Sequence, residues 1–106
     1  MRKILTAATI ALALTTVTAI AADPQAGRAK AAACAVCHGQ NGMSTLPNAP
    51  NLAGQPAVYL EMQLKNYRSG ARRDEIMTMV AKPLSDAEIG NLAAWFASIR
   101  VEATPP

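Results

Sequence analysis

The chain has 106 residues, enough for one domain and no more. Its formal charge of +3 comes without a basic stripe interleaved with aromatics, so nothing in it calls for a nucleic-acid partner. Aromatic side chains make up only 4% of the chain, which leaves little bulk to fill a core.

Residues 1–22 read as a leader and residues 23–106 as the domain. Arg2 and Lys3 form a short basic start, Ile4 to Ile20 is an apolar and threonine-rich run, and Ala19-Ile20-Ala21 has the small-residue pattern of a cleavage site. The run approaches the length of a membrane anchor. The A-x-A ending, with Asp23-Pro24 directly after it, favours a secretory signal cut after Ala21 or Ala22. Export outside the cytoplasm, to a bacterial periplasm, is the expectation. Arg2 and Lys3 leave with such a leader, so the remaining chain carries eight basic against seven acidic side chains. Roughly 85 residues remain, and domains of this size often need a disulfide, metal or cofactor as a staple.

The domain opens on a predicted helix over 24–33, with Asp23 as N-cap and Pro24 at the first helical position. Residues 34–55 hold both cysteines and then Gly39, Gly42, Pro47, Pro50 and Gly54, an irregular stretch long enough to be functional. A second helix is predicted from Pro56 to Ser69, with Leu60, Leu64 and Tyr67 on one face and Gly70 as its stop. A short helical turn follows from Asp74 to Ala81, ended by Pro83. The last helix is the clearest: Ser85 caps it, Glu88 completes a capping box, and Ile89, Leu92, Phe96 and Ile99 repeat at helical spacing. Val101 to Pro106 reads as a frayed tail. The pattern is all-α, with loops too long for the helices they join unless they wrap something.

Cys34-Ala35-Val36-Cys37-His38 is the spacing that attaches c-type haem. Two thiols three apart can each add to a haem vinyl group, and the adjacent imidazole is then placed under the iron as a strong ligand. A structural disulfide would constrain little through so short a loop. A thioredoxin-like pair expects a βαβ context, and a zinc site needs a fourth ligand that the single histidine and two cysteines cannot supply. Haem also explains the scarcity of aromatics, because the porphyrin itself becomes core.

A ligand on the opposite face of the iron has four candidates after the leader: Met43, Met62, Met77 and Met79. Met43 lies five residues past His38, too near to reach round the porphyrin. Met62 falls off the Leu60–Leu64–Tyr67 face. Met77 and Met79 lie between the second and last helices, where the chain can fold over the far side. A thioether opposite imidazole makes a six-coordinate, low-spin iron of raised potential.

The sequence resembles the class I c-type cytochromes, closest to small bacterial members that occur singly or as halves of dihaem proteins. The matching stretches are Cys34–Gly39, Pro50–Gln55, Tyr59–Leu60 with Gln63–Leu64, Arg68–Gly70 and Leu84–Phe96. That resemblance implies an all-α bundle of three main helices and a short one around one covalent haem c, the first and last helices crossing at Gly27 below Trp95 or Phe96. It implies Cys34 and Cys37 as thioether residues and His38 as one iron ligand. The family's methionine stands seven residues before the leucine that opens the last helix; here that leucine is Leu84, which selects Met77 over Met79. It further implies that the Pro50 carbonyl accepts the His38 Nδ1–H bond and that Arg72 stands near a haem propionate, unless Arg72 is a solvated charge like most arginines.

The implied function is one-electron transfer and not catalysis. The implied partners are redox proteins: a membrane cytochrome complex, a terminal oxidase or a periplasmic dehydrogenase. A monomer is expected, with no stable membrane insertion once the leader is cut. Any electrostatic steering would come from a local patch of Lys65, Arg68, Arg72 and Arg73. Two other readings stay open. One is a haem subunit held permanently by a dehydrogenase or oxidase. The other is an open-site haem enzyme or gas sensor, which would need the methionine missing or labile.

Overall fold

The computed structural model describes residues 11–16 and 20–106. Most of the expected leader, residues 1–22, therefore lies outside the described residues. The domain consists of α1 (Pro24–Lys30), a 3-10 turn (Ala31–Ala33), α2 (Ala35–His38), α3 (Ala57–Ser69), α4 (Glu75–Ala81) and α5 (Asp86–Ser98), with no strand among the described residues. No helix among them is long and apolar enough to cross a membrane.

α1, α4 and α5 start where a side chain can take up orphaned backbone N–H groups. Asp23 caps α1 by accepting from Gln25 N at 2.8 Å and Ala26 N at 3.3 Å. At α5, Glu88 N donates to Ser85 Oγ and Ser85 N donates back to Glu88 Oε2, at 3.1 and 2.9 Å. The Ser85 backbone donor and the Lys30 ammonium hold the Glu88 carboxyl below its ordinary range. α3 stops at Gly70, whose φ of 85° is the left-handed conformation that glycine adopts at little cost. The predicted helix over 24–33 is α1 plus the 3-10 turn, because the chain tightens there on its way into the cysteine motif.

α1 crosses α5 at Gly27. A Cβ at that position would run into the Asn91 carbonyl and lie 2.9 Å from Trp95 Cβ, so only hydrogen fits. It is therefore Trp95, not Phe96, that packs over Gly27. The crossing is pinned by Asp23 N donating to Asn91 Oδ1 at 2.7 Å, by a Lys30–Glu88 ion pair at 2.9 Å, and by the Arg28 guanidinium 5.4 Å above the Trp95 ring. α3 lies against α5 on the other side, and Leu60, Leu84, Ile89, Leu92 and Phe96 form the cluster between them. Arg68 locks these two helices together. Its Nη1 donates to the Leu84 carbonyl at 3.0 Å, and its Nη2 meets Asp86 at 2.6 Å and pulls that carboxyl below its ordinary range.

Those pairings revise the expected cationic patch. Lys65 is held to Glu61 at 2.6 Å and Arg68 to Asp86, so two of the four charges are countered before any partner arrives. With Arg72 turned to neutral groups on α3, as described below, the four do not form a single positive edge.

Candidate haem site

The cysteine motif occupies α2, the one-turn helix inside the stretch expected to be irregular. Cys34 stands at its N-cap and His38 is its last residue; His38 N donates to the Cys34 carbonyl at 2.9 Å. One helical turn puts the residues of a C-x-x-C-H run on adjoining sides of the same short helix. The helix ends at once because Gly39 takes a φ of 82°, and a side chain there would strike the Met43 carbonyl. The cysteines are not joined to each other. Both are partly buried, and burial pushes the Cys34 thiol up while the nearby Lys30 charge opposes it.

His38 is buried, with 7% of its surface exposed. Its Nδ1 donates to the Pro50 carbonyl at 2.8 Å, which makes Nε2 the nitrogen with the free lone pair. No buried side-chain nitrogen or oxygen among the described residues lacks a partner. Nε2, which has none, is therefore open to the cavity that His38 lines.

That cavity is bounded by α2, the Pro50–Leu52 loop, α3, α4 and α5, and encloses about 1170 Å³ of space including its open mouth. Leu60 and Leu64 from α3, with Leu92 and Phe96 from α5, line it on one side; Ile76, Met77 and Val80 line it from α4. A wide apolar slot with two thiols and an imidazole nitrogen at one wall matches a porphyrin in shape, polarity and attachment chemistry.

The four methionines separate clearly. Met77 is partly buried and lines the cavity, whereas Met79 is 69% exposed and does not. Met43 and Met62 are also exposed and outside it. Capping by Asp74 orients the first turn of α4: its Oδ1 accepts from Ile76 N at 3.0 Å and Met77 N at 2.8 Å.

Arg72 lines the cavity too. Its Nη1 donates to Gln63 Oε1 at 2.9 Å, its guanidinium lies 4.7 Å above the Tyr67 ring, and its backbone N–H donates to the Asn66 carbonyl at 3.1 Å. It is an exposed cation tethered by these contacts. Gln63 and Tyr67, one turn apart on α3, were read from the sequence only as a matching stretch and a helix face. Their partner nine or five residues away is reached only after the chain turns at Gly70. Asn51, also on the cavity, lies in the matching stretch Pro50–Gln55, where the sequence assigns it no role of its own.

The model of the family described as Cytochrome c matches residues 25–100. Cytochrome c4 of Pseudomonas aeruginosa is 43% identical over 98 residues, covering 92% of this chain and 49% of that protein. The thiosulfate dehydrogenase electron acceptor of Thiomonas intermedia is 39% identical over 108 residues, covering 99% of this chain and 48% of that one. The crystal structure of reduced cytochrome c4 from Pseudomonas stutzeri superimposes with a TM-score of 0.71 at 39% identity, over 76% of this chain and 47% of that chain. The chain thus spans about half the length of these relatives.

Proposed function

The chain belongs to the cytochrome c family, and on that footing we propose that it carries single electrons between redox proteins outside the cytoplasm. Bound haem c supplies a one-electron Fe(III)/Fe(II) couple at this site. Cys34 and Cys37 would hold it through thioether bonds, and His38 Nε2 and the Met77 sulfur would hold the iron. Pro50 fixes the imidazole plane and raises the basicity of Nε2 by accepting from Nδ1. Arg72, braced by Gln63 and Tyr67, would set a positive charge beside the propionates. Residues 1–22 would direct export and be removed, leaving residues 23–106 in the periplasm.

One observation carries this reading: the cavity offers an imidazole and a thioether from different helices, and no carboxylate among the described residues lines it. With His38 and Met77 both holding the iron, no place for substrate would remain there. The lining provides no Asp or Glu to move protons, and its one histidine is spent on Pro50 and the metal. A carrier needs neither. The Thiomonas relative, named as an electron acceptor for a dehydrogenase, supports an electron-donating enzyme as partner. It equally favours a second arrangement, in which this chain stays bound to such an enzyme as its haem subunit.

The test is a reductive titration of the purified holoprotein under carbon monoxide. The expected result is one electron taken up per chain, fully reversible, with the ferrous spectrum unchanged by the gas. Rapid carbon monoxide binding by the unmodified protein would mean an open iron and a sensor or enzyme instead.

A further inference from the structure

The bond from His38 to Pro50 is made to a loop, and a loop carbonyl is only as fixed as its peptide plane. That plane contains both the Pro50 carbonyl and the Asn51 N–H. Asn51 is therefore placed to hold it. Asn51 Oδ1 accepts from Ser44 N at 2.7 Å, and its backbone carbonyl accepts from Gln55 Nε2 at 3.3 Å. Ser44 in turn reaches back to the motif helix: its Oγ lies 3.0 Å from the Cys37 carbonyl, with the Leu46 carbonyl a longer alternative at 3.2 Å. A hydroxyl has one proton to give, and the shorter contact is the better acceptor. The same oxygen accepts from Leu46 N at 3.0 Å.

These contacts close a ring. Cys37 and His38, adjacent on α2, are each tied to the loop, one through Ser44 and the other through Pro50; Ser44 is then tied to Asn51, the residue next to Pro50. The acceptor of the Nδ1 bond is thus braced by the Asn51–Ser44 and Ser44–Cys37 links.

We propose that Ser44 and Asn51 are positioning residues that set the strength of the His38–Pro50 hydrogen bond and, through it, the reduction potential. This rests on the reading of His38 as an iron ligand. A tight bond at Nδ1 gives the imidazole more anionic character, makes Nε2 a stronger donor and favours Fe(III). Loosening the ring weakens that donation and raises the potential.

The two links can be cut separately in the holoprotein. Ser44→Ala removes the hydroxyl and leaves the Ser44 backbone donor to Asn51; Asn51→Ala removes that acceptor and leaves the hydroxyl. Each variant is expected to raise the potential by the equivalent of an approximately threefold larger Fe(II)/Fe(III) ratio at fixed applied potential, about 28 mV at 59 mV per decade. Exchange of the His38 Nδ1 proton, followed by NMR, should quicken about tenfold. Ser44→Thr, which keeps the hydroxyl, should return both quantities toward the unmodified values. Ser44→Ala decides the matter alone if Asn51→Ala yields no holoprotein. Potentials and exchange rates equal to those of the unmodified protein, in a variant that keeps its low-spin spectrum, would overturn the proposal. Failure of the ligand reading itself looks different: the unmodified protein would then show a histidine resonance unshifted by the iron.

Discussion

Replacing Cys34 and Cys37 together by alanine is expected to leave a chain that no longer unfolds cooperatively. The reason is the poverty of the core. Of the nine buried apolar residues among those described, four are alanines, and Ile89 is the single large side chain among them that is fully enclosed. Leu52, Leu64, Ile76, Met77 and Val80 line the cavity half-buried or exposed, and gain further burial only from what fills it. At about 25 cal/mol per Å² of apolar surface, leaving those faces wet forfeits several kcal/mol. A whole domain holds only about 5–15 kcal/mol of net stability. The helices would persist in part, because Asp23, Asp74 and Ser85 still cap them. The expected product is thus a helical, dye-binding, loosely packed state. Far-ultraviolet circular dichroism against temperature checks this. A sharp transition near that of the holoprotein would refute it.

Met77→Ala is expected to open the iron, and Met79→Ala is not. Two residues apart on α4, the side chains point about 200° apart, so one helix cannot offer both to the same site. Met77 lines the cavity and Met79 faces outward. Axial ligands move haem potentials over a span of about 0.8 V, so losing the thioether should lower the potential by a tenth of a volt or more, on the order of that scale. The ferrous Met77 variant should bind carbon monoxide rapidly and lose the sulfur-to-iron band at the red end of the spectrum. The Met79 variant should keep both the potential and the closed site. Carbon monoxide titration of the two ferrous variants separates them, and binding only by the Met79 variant would transfer the ligand role to that residue.

What could be read from the sequence was local. The capping box of Ser85 and Glu88, the stop at Gly70 and the C-x-x-C-H run are each contained within a few residues, and each has one physical meaning at its spacing. The register that the resemblance supplies, seven back from Leu84, falls on the methionine that lines the cavity. α2 was not legible, since a single turn has no hydrophobic period to display and is held by its surroundings. Neither were the pairings of Arg68 with Asp86, eighteen residues on, or of Arg72 with Gln63, nine residues back. Charges read along a chain say nothing about which will be countered once helices pack. For that reason the four-cation patch looked more coherent in the sequence than it is in space. The Ser44–Asn51 ring was hidden for the same reason: its two residues stand seven apart in an irregular stretch and meet only when the chain folds.

The account rests on haem bound through Cys34 and Cys37. The most direct measurement of that is the mass of the purified holoprotein after unfolding and extraction with acid and acetone. The predicted result is a single species heavier than the bare polypeptide by one haem, with its colour staying in the protein fraction. Haem that passes into the solvent, leaving the bare polypeptide mass, would contradict the account.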